Sequence, residues 1–152
     1  MRQRIKQERF ESVRQEAVFN LMVAADYLRT EYDRVFTAYN LTSGQYNVLR
    51  ILRGVHPEGH PRCEIAMRML ERAPDVTRLV DRLEASGLVE RDRSEEDRRL
   101  SITRITAKGL ELVDEMQPAL DEVQKRLHRR LTNDEAVQIS RVCEALYAPE
   151  DN

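Results

Sequence analysis

The chain has 152 residues, a length that suits one domain with a core of ordinary size. Charged residues make up 34% of the sequence and the formal net charge is -2, which excludes a polybasic protein that coats nucleic acid by charge alone. Cys63 and Cys143 form no CxxC pair and give no disulfide framework, and no apolar run follows the basic first residues. We therefore expect a cytoplasmic protein without a signal peptide or a membrane span.

Two helices are predicted before the first loop. Residues 1–11 are polar and predict a frayed arm, whereas apolar residues recur at helical spacing from Val18 to Tyr39 and indicate a long amphipathic helix. Asn40 and Leu41 end this helix. Thr42 and Gln45 then form a capping box for a second helix. That helix carries three apolar or aromatic residues on one side: Tyr46, Leu49 and Leu52.

A loop and a short helix come next. Prolines and a glycine predict a loop over residues 56–61, and a helix over about residues 62–70 would turn Ile65, Ala66 and Met69 inward. Together with the helix that follows it, this short helix predicts a helix-turn-helix.

The second helix of this pair is predicted to begin at Pro74. Proline has no N–H to leave unsatisfied and suits the first helical position, and Asp75 beside it favours the positive end of the helix dipole. Arg78 faces away from the apolar side, and Gly87 allows a left-handed cap that ends the helix. The apolar stripe at i, i+3, i+4 and i+7 consists of Val76, Leu79, Val80 and Leu83.

A two-stranded hairpin is predicted after Gly87, over residues 88–93 and 100–105. In its second strand Leu100, Ile102 and the aliphatic part of Arg104 alternate with Ser101, Thr103 and Ile105, as in a half-buried strand. The tip, residues 94–99, is too polar for a core and predicts an exposed loop. Asp97 and Arg99 can form a charge-assisted hydrogen bond that stiffens this loop and leaves Arg98 or Arg99 free to reach outward.

Two further helices complete the chain. Thr106 is predicted to cap the first, whose apolar line runs from Leu110 to Leu127, and Pro118 predicts a kink or break near Glu115. Thr132 and Glu135 form a second capping box, which opens a terminal helix. Its apolar stripe consists of Ala136, Ile139, Val142, Cys143 and Leu146, and residues 148–152 are a tail.

The first helix and the last two are longer than a small helix-turn-helix lobe requires, so their apolar stripes need a partner surface. In a chain of this length the economical solution is a two-fold homodimer in which the terminal helices of two subunits interlock. If the second helix of the helix-turn-helix binds DNA as its recognition helix, two such helices would then face half-sites about 34 to 36 Å apart on a near-palindromic duplex.

A helix next to a basic hairpin tip fits the geometry of double-stranded DNA. The major groove admits an α-helix, and a narrow minor groove attracts an inserted arginine. The basic residues expected at this surface are clustered although the net charge is negative: Arg78, Arg82, Arg91, Arg93, Arg98 and Arg99.

These segments resemble the DNA-binding lobe of MarR-family transcription regulators, which are dimeric winged helix-turn-helix proteins. The resemblance extends from about Val18 to Leu146. The resemblance rests on residues 41–49, residues 76–83, residues 87–91, and a wing signature made of Asp97, Arg99, Ile105, Thr106 and Gly109. It implies a mostly α fold with a small β-hairpin wing, in one MarR-like domain over residues 1–152. Residues 41–106 would form the DNA-binding lobe, and residues 1–40 and 107–152 the dimerisation helices.

The resemblance also implies site residues. Pro74, Asp75, Thr77, Arg78 and Arg82 correspond to family positions that contact the major groove or its phosphates, and Arg99 corresponds to the minor-groove arginine of the wing. The family often has Ser or Thr where Pro74 and Asp75 stand here. Asp75 either accepts from a cytosine amino group or holds Arg78 in place, and we favour the second.

The family binds small aromatic ligands between its dimerisation helices and its DNA-binding lobe, which implies a repressor that a ligand releases from its operator. Candidate pocket residues are Met22, Tyr32, Phe36 and Tyr46, with Tyr27 and Tyr39 nearby in sequence; the alternative is that these side chains simply fill the core. No residue spacing identifies the ligand.

Other hypotheses remain at this stage. His56, His60 and Cys63 have an H-x3-H-x2-C spacing that can ligate zinc, but an ordinary polar loop is favoured and we expect no metal or cofactor. Cys63, near a helix N-terminus, could instead be a redox sensor, whereas Cys143 is expected to be buried. The chain carries no phosphate loop, nucleophile elbow or HExxH motif, so we expect no enzyme. The alternative to DNA is a winged-helix module that binds another protein through the same helix and wing.

Overall fold

The computed structural model describes residues 10–70, 75–92 and 101–148. Its described part is mostly helical with a small antiparallel sheet, which confirms the predicted fold class. The elements are α1 (Val13–Ala38), α2 (Ser43–Arg53), β1 (His60–Pro61), α3 (Arg62–Arg68), α4 (Val76–Ala85), β2 (Val89–Asp92), β3 (Ile102–Ile105), α5 (Ala107–His128) and α6 (Asn133–Tyr147). The predicted arm before residue 10, the hairpin tip and the tail after residue 148 lie outside the described residues.

Both predicted capping boxes are present. At the start of α2, the Gln45 N–H donates to Thr42 Oγ1 at 3.3 Å and the Thr42 N–H donates to Gln45 Oε1 at 2.9 Å. At the start of α6, Glu135 and Thr132 make the same pair of bonds at 3.3 and 2.8 Å. Each box satisfies two backbone donors that a helix start leaves without partners, so these boundaries follow from the local sequence.

The start of α4 differs from the prediction. The helix begins at Val76 and Asp75 is its N-cap, so Pro74, which lies outside the described residues, is not the first residue of the helix. Asp75 has a non-helical backbone, and its Oδ1 accepts the N–H of Arg78 at 3.1 Å. An aspartate in this position satisfies an otherwise unpaired donor, and this favours it as the cap. The predicted end is confirmed, because Gly87 has a φ of +71°.

The sheet has a strand that the sequence did not predict. His60 and Pro61, expected in a loop, form β1 and pair with Thr103 and Ile102 of β3, which pairs with β2 on its other side. Thr103 and Ile105 form the buried face of β3. Loop signals dominate the segment before α3, and this pairing depends on a strand far along the chain.

A contiguous set of apolar side chains holds the helices of the lobe together. The fully buried ones in α2, α3 and α4 are Val48, Leu49, Leu52, Ile65 and Leu83. Leu88, Val89 and Ile105 continue this set into the sheet, and Val113 and Met116 continue it into α5. These side chains fix the buried side of α4, so the opposite side of that helix is exposed.

The start of α5 is attached to the turn between α4 and β2. The Thr106 N–H donates to the Leu88 carbonyl at 3.1 Å, and Thr106 Oγ1 donates to the Gly87 carbonyl at 2.8 Å. Thr106 Oγ1 also accepts the Gly109 N–H at 3.1 Å, which confirms the predicted cap. A Cβ on Gly109 would lie 2.2 Å from the Leu88 carbonyl oxygen, so this close approach requires glycine.

The predicted break near Glu115 is wrong, because α5 passes through Pro118 without interruption, whereas the alternative of a kink stays a prediction. The helix is continuous from Ala107 to His128 with Pro118 inside it. A proline removes one backbone hydrogen bond. Met116 before Pro118 and Leu120 after it are both buried.

The chain divides into two compact units, Met1–Gln117 and Pro118–Asn152. In the first unit, α1 buries only Glu31 and Phe36 within the single chain. In the second unit, α6 buries no residue. Among the described residues, no helix is long and apolar enough to cross a membrane.

Candidate nucleic-acid interface

The outer side of α4 carries two exposed arginines. Arg78 is 79% exposed and Arg82, one turn later, is also exposed. Val76, Val80 and Leu83 are buried on the other side of the helix. The helical period that buries these three residues therefore directs Arg78 and Arg82 outward, as the sequence predicted.

Asp75 orients Arg78. Its Oδ2 lies 3.0 Å from Arg78 Nε, and its Oδ1 accepts the Arg78 backbone N–H. The Asp75 carboxylate thus contacts both the backbone and the side chain of Arg78. These two contacts restrict the arginine to part of its conformational range. This is the contact that we favoured for Asp75 from the sequence.

Thr77 lies beside this exposed side and is half-buried. Its Oγ1 accepts a hydrogen bond from Arg62 Nη1 at 3.0 Å, which connects α4 to the first residue of α3. Thr77, Arg62 and Cys63 line a cavity of about 390 Å³ together with Arg91 and Ser101 of the wing. Thr77 thus lies where α3, α4 and the sheet meet.

Arg91 is in a different environment from Arg78. Its side chain is 21% exposed and forms ion pairs with Asp81 and Glu84 of α4. The sequence placed Arg91 in the basic cluster expected at the contact surface. In the structure its charge is engaged with the recognition helix.

Several predicted contact residues lie outside the described residues. These are Pro74 before α4, the wing-tip residues Asp97, Arg98 and Arg99, and Arg93 at the end of the predicted strand. The structure describes the two strands that lead to the tip. Between these strands, Arg104 Nη1 of β3 lies 3.2 Å from Asp92 Oδ2 of β2. The roles of the tip residues stay predictions.

Three of the four predicted pocket residues form an aromatic stack. Phe36 lies between Tyr32 and Tyr46, with ring centroids 6.2 and 4.6 Å apart, and Phe36 itself is buried. Met22 is 62% exposed and stands ten residues before Tyr32 on α1, about 15 Å along the helix axis. Met22 therefore does not belong to this stack.

The metal hypothesis gains no support from side-chain geometry, and the redox hypothesis for Cys63 stays a prediction. Within the described ranges, no group of three or more His, Cys, Asp or Glu side chains is arranged to hold a metal ion. Cys63 is exposed in α3, and Cys143 is half-buried in the single chain rather than fully buried as expected.

Sequence reasoning missed two polar residues that position the helix-turn-helix. Asn47 of α2 is buried, and its Oδ1 accepts the N–H of Leu70 at 2.9 Å, just beyond α3. Arg62 holds Thr77, as described above. Neither residue has a local sequence signal, because each bonds to a segment distant along the chain.

Comparison with known proteins agrees with this geometry. The MarR family model matches residues 41–101. The transcriptional regulator PapX of Escherichia coli is 29% identical over 113 residues, which cover 74% of this chain and 69% of PapX. The crystal structure of a MarR transcription factor from Planctomyces limnophilus is 38% identical and has a TM-score of 0.70. Its match covers 90% of this chain and 99% of that one.

A more distant structure shares the fold. BpsR of Bordetella bronchiseptica, described in a study of how 6-hydroxynicotinic acid regulates its DNA binding, has a TM-score of 0.74 at 21% identity. The match covers 86% of this chain and 98% of that one. On the strength of the Planctomyces structure, together with the matched family model, the chain belongs to the MarR family of DNA-binding transcription regulators.

Proposed function

We propose that this regulator is a homodimeric repressor that binds a near-palindromic operator and is released from it by a small aromatic ligand. The observation that carries the proposal is the exposed side of α4, where Arg78 is oriented by Asp75 and the opposite side is fixed by the core. A regulator of this kind works beside the chromosome, so we place it in the cytoplasm.

Different segments of the chain have different proposed roles. Residues 41–106 bind DNA, and residues 1–40 and 107–152 form the dimer. In the major groove Arg78 reads base edges, while Arg82 and Thr77 contact the groove or its phosphates with Pro74 and Asp75 at the helix start. Arg99, with Arg98 beside it and Asp97 supporting it, enters the adjacent minor groove.

Dimerisation is supported by apolar side chains that the single chain leaves exposed. On α1 these are Val18, Leu21, Met22 and Leu28, and on α6 they are Ile139, Val142 and Leu146. Each set follows the helical period, so each forms a stripe that water would otherwise cover. Burying both stripes in a two-fold interface gives two recognition helices and therefore two half-sites.

Release by an aromatic ligand is supported by the stack of Tyr32, Phe36 and Tyr46, which joins α1 to the first helix of the lobe. BpsR, whose DNA binding 6-hydroxynicotinic acid regulates, has the same fold. A ligand that binds better to one spacing of the two lobes shifts the dimer toward that spacing. When that spacing no longer matches the operator, DNA affinity falls.

The experiment is a titration of the purified protein with a fragment of its own upstream DNA at two salt concentrations, with random duplex as competitor. We expect specific binding that weakens steeply with salt, because phosphate contacts release counterions. Arg78→Ala should lose about 1 to 3 kcal/mol of preference for the operator. The matched control is Arg53→Ala, since Arg53 pairs with Asp114 and is not among the proposed contacts.

The outcomes separate the parts of the proposal. Specific binding that Arg78→Ala weakens by about 1 to 3 kcal/mol and that Arg53→Ala leaves unchanged supports it. Binding without preference over random duplex rules out an operator in the upstream fragment, and a selection from random sequences then supplies the site. A protein that binds no duplex at low salt contradicts the proposal. Repression is checked by a reporter placed behind the bound site.

A further inference from the structure

One edge of α4 faces the wing. Thr77, Asp81 and Glu84 are spaced i, i+4 and i+7, so they lie along one side of the helix between the exposed Arg78 and the buried Val80. Asp81 is 52% exposed and Glu84 31% exposed. This edge therefore borders the proposed DNA-facing side without being part of the core.

Arginines from two other elements hold this edge. Arg91 of β2 donates from Nη2 to Asp81 Oδ1, and its Nε lies 3.6 Å from Glu84 Oε2. Arg62 of α3 donates to Thr77 at the other end of the edge. These contacts attach both ends of the edge to neighbouring elements, and so add to the core packing that restricts the movement of α4 relative to α3 and β2.

The charges around Arg91 argue against a phosphate contact. One guanidinium faces two carboxylates, so the three side chains together carry a formal charge of -1 at neutral pH. A phosphate approaching Arg91 would meet this net negative group, and Arg91 is also largely covered by protein. Its planar set of donors instead suits simultaneous contact with two carboxylates on successive turns of a helix.

Arg91 also lies near the tip end of the wing strands. It pairs with the buried Thr103 of β3, and its neighbour Asp92 is the last residue of β2 before the chain enters the tip. The contact of Arg91 with Asp81 and Glu84 therefore connects the orientation of the wing strands to the orientation of α4. Arg78 on the helix and the arginines of the tip must address adjacent grooves at the same time, so this relation matters for binding.

We propose that Arg91 is a positioning residue for DNA recognition, which acts through Asp81 and Glu84 to set the rotation of α4 relative to the wing. This inference rests on the proposed function, in which α4 and the wing bind one operator together. It assigns Arg91 a role distinct from that of Arg78, although both belong to the basic cluster of the sequence.

The test compares Arg91→Ala, Arg91→Lys and Asp81→Ala in the salt-dependent titration. We expect each to lower operator affinity by about tenfold, the size typical of coupled neighbours. The slope of affinity against salt should stay unchanged, because Arg91 releases no counterion. Arg91→Lys retains the charge and most of the volume, so it carries the test if Arg91→Ala unfolds at the assay temperature.

Two results would overturn the inference. If Asp81→Ala strengthens binding while Arg91→Ala weakens it and reduces the salt slope by about 1, Arg91 is a phosphate contact. If Arg91→Lys binds like the wild type, the two-carboxylate contact is unnecessary.

The double variant Asp81→Ala with Arg91→Ala should bind the operator no more weakly than either single variant. Asp81→Ala with Arg104→Lys should show additive effects, since Arg104 pairs within the sheet.

Amide hydrogen exchange separates failure of this inference from failure of the proposed function. Arg91→Lys and Asp81→Ala should each speed exchange in both α4 and β2, whereas Arg53→Ala should not. This readout needs no DNA and is therefore informative even if the wild type recognises no operator. Unchanged exchange in α4 and β2 would contradict the positioning role.

Discussion

Replacing Gly109 by alanine tests how closely α5 approaches Leu88, which lies in the turn between α4 and β2. Inside a helix, alanine is normally more stable than glycine by about 0.5 to 1 kcal/mol. Here the added Cβ would lie 2.2 Å from the Leu88 carbonyl oxygen and 2.7 Å from Ile105 Cγ1, whereas ordinary contact begins at 3.4 Å. The helix must therefore move by about 1 Å, because the nearest atom belongs to the backbone and cannot rotate away.

The expected cost follows from these contacts. Overpacking of this kind costs about 1 to 3 kcal/mol. The movement also strains the 3.1 Å hydrogen bond from the Thr106 N–H to the Leu88 carbonyl, which contributes about 1 kcal/mol. After subtraction of the propensity gain, Gly109→Ala should lower the free energy of unfolding by about 1 to 3 kcal/mol. For a chain of this size the unfolding midpoint should fall by about 3 to 10 °C.

Thermal unfolding followed by circular dichroism, at one fixed protomer concentration, measures this change. The matched control is Gly54→Ala, because Gly54 has a φ of -65° and a Cβ there would meet its nearest neighbours at 3.5 and 3.7 Å. That variant should gain about 0.4 to 1 kcal/mol. A Gly109→Ala protein as stable as the wild type would show that the close approach of α5 to Leu88 does not constrain the fold.

Three further predictions follow from the caps and the exposed stripes. Thr42→Ala removes the cap of α2 and should lower the free energy of unfolding by about 1 kcal/mol, measured by urea denaturation; an unchanged midpoint would contradict the cap's role. The backbone N–H and then the hydroxyl of Thr132 lower the pKa of Glu135 from its ordinary value of 4.5. The cap of α6 should therefore be fully present above that value and weaken as the pH falls through the lowered pKa, so amide exchange in α6 should rise at acid pH. Glu135→Gln should lose this pH dependence, and a variant that retains it would locate the titration elsewhere. Leu28→Asp places a charge in the proposed dimer stripe and should shift the sedimentation coefficient toward that of a monomer, whereas a wild type that sediments as a monomer would contradict the dimer itself.

The sequence by itself determined the features that depend on neighbours within a few residues. The capping boxes of α2 and α6, the cap at Thr106 and the left-handed Gly87 all appear where their local patterns predict them. The apolar stripe of α4 was also readable, so the outward direction of Arg78 followed from the helical period alone. The contact between Asp75 and Arg78 could be foreseen for the same reason, since the two residues are three apart.

Only the tertiary structure decided the features that join distant segments. β1 exists because His60 and Pro61 pair with β3, and no signal within the loop announces that pairing. Pro118 remains inside α5, although a proline removes one backbone hydrogen bond from a helix. Arg91 appears in sequence as one more member of a basic cluster, and its two carboxylate partners become visible only when β2 lies against α4. Local patterns specify which residues can cap, turn or face outward. Which charge meets which partner depends on how the elements pack, because ion pairs and strand pairs form across space rather than along the chain.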